Sequence, residues 1–391
     1  MKTKFLPIAY CMLFTCHAIN SNGQANRKLS NLTSPTAVNQ SLLPGIDNTL
    51  NLGSGGRDAL SWNNLYLGNA LYLKGKITLY APGPGNFFVG INAGNISLTG
   101  GYNTGVGQFS LFKTSGINNT ANGYQALYNN TTGDNNTAHG YQALSFNNTG
   151  DYNTALGTQT LDNNTEGYGN TAIGALALWS NNGFHNTATG SVALYNNTTG
   201  NSNTALGYDA DVLKGNLFNA TAIGHGAIVD APNKVWIGDG SVKSIGGPVP
   251  WTTPSDGRYK KDIKENVQGL AFINSLRPIT YTVNVRGLNE YYNKGRKQLL
   301  NNKEDGALNA EMKKAEDEAS KIVYNGFIAQ EVEAAAKKLN YEFSGVDKPQ
   351  SKDGIYGLRY DNFVVPLVKA VQELSKMNDD KDATINGLKS E

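Results

Sequence analysis

Asn119-Thr120-Ala121-Asn122-Gly123-Tyr124-Gln125-Ala126-Leu127 is followed, seventeen residues on, by Asn136-Thr137-Ala138-His139-Gly140-Tyr141-Gln142-Ala143-Leu144. Asn153-Thr154-Ala155-Leu156-Gly157-Thr158-Gln159-Thr160-Leu161 repeats the same spacing. Working outward, the element Thr-small-x-Gly recurs at Thr104, Thr120, Thr137, Thr154, Thr171, Thr187, Thr204 and Thr221, with steps of 16 or 17 residues. Asparagine precedes the threonine in all copies but the last, where Ala220 stands. Four residues past the glycine sits leucine in six copies, then Asp211 and Ile228. A fixed period of this kind is the signature of a repeat architecture.

Seventeen residues are too few for a helical hairpin repeat but enough for two short strands and two turns. Asn- and Gly-rich segments such as Asn129-Asn130-Thr131-Thr132-Gly133 supply the turns. The expectation is a β-solenoid of about eight 16–17-residue rungs, with leucines stacked in an apolar ladder and asparagines in amide ladders. Each rung offers little apolar volume beyond alanine and one leucine, so chains are expected to associate laterally as a homotrimer. The pattern resembles the head repeats of YadA-like trimeric surface adhesins in architecture, with longer rungs.

Net charge is only +2, which gives no bulk attraction to nucleic acid or anionic membrane. That average hides a division. The 254 residues before Ser255 hold 11 Lys/Arg, 10 Asp/Glu and 35 glycines; the 137 from Ser255 onward hold 22, 21 and 10. The chain therefore reads as mainly β with an α+β C-terminal domain, not as one uniform globular enzyme.

The N-terminus reads as an exported leader over 1–25: Lys2 and Lys4, the apolar run Phe5 to Phe14, and small residues at Gly23 and Ala25. Cys11 and Cys16 both lie inside it, so cleavage near Ala25 would leave no thiol. Reading Leu13-Phe14-Thr15-Cys16 as a lipoprotein box stays open. No later stretch approaches the roughly 20 apolar residues a membrane span needs. A β-rich spacer over 26–81 follows; its Leu52-Gly53-Ser54 and Trp62-Asn63-Asn64-Leu65-Tyr66-Leu67-Gly68 are similar to a strand-rich motif of phage tail fibres. The repeats then occupy 82–245, and a Pro-rich linker 246–254.

Beyond the linker stands Ser255-Asp256-Gly257-Arg258-Tyr259-Lys260. A serine is a poor nucleophile until a base takes its proton, and a lysine rendered neutral by burial can be that base. Leu276-Arg277-Pro278-Ile279-Thr280-Tyr281, Gly326-Phe327-Ile328-Ala329-Gln330-Glu331-Val332 and Tyr360-Asp361-Asn362-Phe363 with Pro366-Leu367-Val368-Lys369-Ala370-Val371 follow in order. This ordered set resembles the peptidase S74 family, the intramolecular chaperone domains of endosialidases and phage tail spikes. The resemblance implies a domain at 255–365 that drives trimer assembly of the β-rich fibre before it. It also implies a single-turnover self-cleaving serine peptidase, with Ser255 as nucleophile and Lys260 as general base. Residues 287–321 depart from the family's compact pattern as a highly charged insertion, read either as an arm gripping a partner fibre or as a solvated excursion. Over the closing helix, 366–391, Leu367, Val371, Leu374, Asn378, Lys381, Ile385 and Leu388 step by 4 and 3, the a/d spacing of a coiled coil.

No cofactor is expected. His139, His185 and His225 sit in different rungs without metal-ligand spacing, and Gly238-Asp239-Gly240 reads as a turn. Three functions compete: a cell-surface or extracellular fibre matured by self-cleavage, an adhesin with a permanent trimerising foot that binds a surface glycan or other cell-surface ligand, and a glycan hydrolase. The hydrolase needs paired carboxylates, and only Asp134 and Asp151 share a rung position.

Overall fold

The computed structural model describes residues 70–73, 76–81, 83–94, 100–294, 306–350 and 354–390. The expected leader, both cysteines and the Leu52 and Trp62–Leu67 motifs lie outside the described residues.

A hairpin of β1 (Ala70–Leu73) and β2 (Lys76–Tyr80) leads in, and β2 pairs antiparallel with β3 (Phe87–Val89). From β3 the pairing turns parallel and stays so. It runs through β4 (Thr104–Val106), β5 (Thr120–Asn122), β6 (Thr137–His139), β7 (Thr154–Leu156), β8 (Thr171–Ile173), β9 (Thr187–Thr189) and β10 (Thr204–Leu206). β11 (Asp211–Val212) and β13 (Ile228–Val229) form a separate parallel pair, while β12 (Thr221–Ile223) and β14 (Val235–Ile237) complete a 12-stranded sheet. This is a β-solenoid of about nine coils over 87–237.

Threonine pairs with threonine from coil to coil, so each repeat position becomes a column. Ala121, Ala138, Ala155 and Ala172 point inward with no more than 1% exposure, and Leu111, Leu127, Leu144, Leu161, Leu178 and Leu194 form the expected fully buried ladder. The asparagine before each threonine is buried as well. Asn136 accepts from Asn153 N (2.9 Å) through Oδ1 and donates from Nδ2 to Gly150 O (2.8 Å). A second buried amide ladder, Asn130, Asn147 and Asn164, runs beside it through Nδ2–Oδ1 bonds of 2.6 and 2.8 Å, and Asn147 shares the Gly150 carbonyl with Asn136. Asn136→Ala would orphan the buried Asn153 N–H, while Gly150 O keeps its bond from Asn147 Nδ2, so a loss of about 2 kcal/mol is expected from urea unfolding. An Asn136→Ala chain as stable as the parent would mean the ladder is incidental.

Two details differ from the sequence expectation. The Thr-small-x-Gly element stops at Thr221, yet the solenoid gains a coil because Phe87-Phe88-Val89-Gly90 and Val235-Trp236-Ile237-Gly238 continue the strand columns. Phe88 is 1% exposed and fills the last of the core, and Gly105 opposite leaves it room: a Cβ there would lie 2.7 Å from the ring. Among the described residues, the second strand per coil forms only at β11 and β13. In the other coils Leu127, Leu144 and their equivalents adopt φ near +50°, which breaks extended backbone, whereas Asp211 and the β-branched Ile228 do not. Inter-coil bonds such as Leu127 N to Ala143 O (3.0 Å) persist without a strand.

The C-terminal region is α+β. Short α1 (Leu270–Ile273), β15 (Ile279–Thr282), α2 (Val285–Asn293), α3 (Gly306–Ala319), β16 (Val323–Gly326), α4 (Ala329–Lys338), β17 (Val346–Asp347), β18 (Gly357–Leu358) and α5 (Val364–Ser390) follow in order. Phe272, Val332, Ala336, Val346 and Phe363 make its core. Glu373 on α5 accepts from Leu270 N at 2.7 Å and fixes α1 to it.

The described part of the 287–321 insertion packs against its own chain. α2 and α3 form a hairpin, tied by Asn289 to Glu316 (2.7 Å), that docks on the end of its own solenoid. Tyr292, 6% exposed, meets Trp236 at 5.8 Å between ring centres, Asn289 Oδ1 accepts from Gly240 N (3.1 Å), and Lys243 pairs with Glu318 (2.8 Å). Val285 is buried beneath. The hairpin thereby packs beside β14, the open edge that every sheet must protect. Along α5, the seam residues Leu367, Val371, Leu374, Ile385 and Leu388 are 47–69% exposed in the single chain.

Candidate functional site

Every residue from 242 to 266 is exposed, a tether running between the solenoid and the C-terminal core. Within it the sequence folds into one local structure, a 3-10 turn over Gly257–Tyr259. Asp256 caps that turn by accepting from Arg258 N (2.9 Å), and the Arg258 guanidinium grips the same carboxylate through Nε (3.0 Å) and Nη2 (2.6 Å). This pairing holds the Asp256 carboxyl below the usual carboxylate range. Arg258 also lies 5.8 Å from the Tyr259 ring.

The turn has a chemical consequence. It folds the chain so that Lys260 Nζ donates to Ser255 Oγ at 2.8 Å. The two residues singled out from the sequence are thus brought within direct proton-transfer distance. Asp256 and Arg258, to which the sequence alone assigned no role, pair across the turn that lies between Ser255 and Lys260. The signal for them was present in the i, i+2 spacing of opposite charges around a glycine.

The remaining candidates are held elsewhere. Asp134 Oδ1 accepts from Ile117 N and Asp151 Oδ1 from Asp134 N, both at 2.7 Å, so these carboxylates close inter-coil turns. His225 stacks on Tyr208 and faces Asp239, whose proximity raises the imidazole above its ordinary value. Asp239 in turn accepts from Ser241 N and Oγ, making Gly238–Gly240 a turn. Among the described residues no cluster of three or more His, Cys, Asp or Glu is placed to hold a metal ion, and no helix is long and apolar enough to cross a membrane.

The fold and this site define a β-solenoid joined through an exposed Ser-Lys segment to an α+β region with a long terminal helix. Residues 255–341 match the family model Peptidase S74, chaperone of endosialidase, which begins at Ser255 itself. No curated protein matches the chain.

Proposed function

We propose that this chain is an exported surface fibre whose C-terminal domain drives assembly of three copies and then releases itself by autoproteolysis at Ser255. The observation that carries this is the 2.8 Å Lys260–Ser255 contact at the first residue of the chaperone match. In the cleavage step Ser255 Oγ adds to a peptide carbonyl while Lys260 takes the hydroxyl proton. The proton passes to the departing amide nitrogen as the C–N bond breaks, and water then hydrolyses the ester. A lysine accepts a proton only when neutral, and burial favours that form. The site is exposed in the single chain, so a neighbouring copy that covers it would couple cleavage to assembly.

The docked α2–α3 hairpin favours a second reading, an adhesin with the C-terminal domain retained as a permanent foot. Intact mass and native mass decide. Wild type is expected to split near Ser255 and leave an N-terminal fragment of three copies. Ser255→Ala stays whole, and Lys260→Ala slows cleavage about a hundredfold or more. A three-copy chain that never splits supports the permanent foot; a single-copy chain overturns both.

A further inference from the structure

All-parallel sheets are ordinarily covered on both faces. The solenoid sheet is not: its inner face carries the alanine column, while the first and third residue of each strand point outward. The first column is threonine from Thr104 to Thr221. The third is largely aliphatic, with Val106, Leu156, Ile173, Leu206 and Ile237 each 36–52% exposed. Neither column holds Asp, Glu, Lys or Arg in any of its ten coil strands, from β3 to β14.

The stripe's dimensions fit one kind of occupant. Nine steps of about 4.8 Å give a length of about 43 Å, and two columns about 7 Å apart give about 300 Å² of surface. Three such stripes turned toward one axis would bury about 900 Å², at the low end of interface sizes, to which the exposed seam of α5 in the same chains would add. The strand register is unshifted from coil to coil, so parallel copies would meet coil for coil. Asn122 and His139 interrupt the aliphatic column in consecutive coils. In the matched register they face their own counterparts; slipped by two coils they would face aliphatic side chains. A polar break in an apolar seam is a register device.

We infer that this Thr/aliphatic stripe is the face through which the solenoid packs, in parallel and in register, against two further copies of this chain. The inference rests on the proposed three-copy assembly and adds which face is used.

The test uses the full chain with Cys11 and Cys16 changed to serine, carrying either Ile173→Cys on the stripe or Thr149→Cys, an exposed position on a turn away from it. Expected are a native mass of three copies for both, maleimide labelling at least about tenfold slower at Ile173→Cys, and covalent dimers with a short bis-maleimide only there. Equal labelling with no dimers in a three-copy particle overturns this inference and leaves the proposed function standing. Protection without dimers means another occupant covers the stripe and also overturns it. A single-copy native mass overturns both.

Discussion

Gly157→Ala is expected to destabilise the solenoid by at least about 4 kcal/mol and to open it in the middle, two effects with one cause. Gly157 has φ +137°, a conformation essentially reserved for glycine, and an added Cβ would lie 2.7 Å from both the carbonyl carbon and oxygen of Gly174. The carbonyl cannot retreat, because Thr160 Oγ1 donates to it at 2.6 Å and its coil is bonded to the next. Contacts in a solenoid are only nearest-neighbour, so losing one junction separates the coils before Gly157 from those after it. Limited proteolysis should show a new cut near that coil, with a lower urea midpoint. Gly257→Ala is the control, since nothing lies within 4 Å of its added Cβ. Equal resistance of Gly157→Ala and the parent would mean that the coils are not stacked as closely as this geometry requires.

That glycine column shows why the solenoid was legible in the sequence. A 17-residue coil with an invariant close approach forces the same small residue at the same place every time, so periodicity alone exposes it. The inward Ala and Leu ladders follow from the same constraint. The ends escaped because no further coil stacks on one side of them: Phe88 and Trp236 replace the small residue of the repeat to cover core that stacking would otherwise cover, and thereby erase the motif. The missing second strand was hidden for a different reason. Nothing in the residue type of Leu127 announces φ +51°, which the coil imposes through tertiary hydrogen bonds. The second amide ladder was disguised as turn composition, because Asn130 and Asn147 look like any turn asparagines until coils are stacked.

The C-terminal site was legible as residues and illegible as geometry. Ser255 and Lys260 stood out by their motif, but their meeting comes with a local turn, closed by the Asp256–Arg258 pair, that sequence spacing permits without requiring. The docking of α2 on the solenoid end was beyond reach, since Tyr292 and Trp236 are 56 residues apart and share no pattern. Charge in 287–321 pointed to solvent, yet the uncharged Asn289 and Tyr292 make contact there beside the Lys243–Glu318 pair.

Asp162→Asn is expected to stabilise the chain by about 3 kcal/mol at pH 7 and hardly at all at pH 4. Asp162 occupies a coil position where its neighbours are Ser145 and Trp179, and it is only 4% exposed. Its Oδ1 and the Trp179 Nε1 each lack a hydrogen-bond partner, so the carboxylate's charge is poorly compensated. Burial pushes its pKa from 3.8 up to about 6, and the nearby indole N–H offsets part of the rise. The folded state thus holds the proton more tightly than the unfolded chain. Below the unfolded value both states are protonated and nothing is lost; as pH rises from about 4 through 6 the folded form must carry a buried anion, and stability falls. An amide carries no charge at either pH, so the variant lacks this decline. Urea midpoints at pH 4 and pH 7 for both chains provide the measurement. An advantage of the same size at both pH values would locate the effect in packing against Trp179 and not in the buried charge. A variant less stable at pH 7 would show that the carboxylate has a compensating partner in solution.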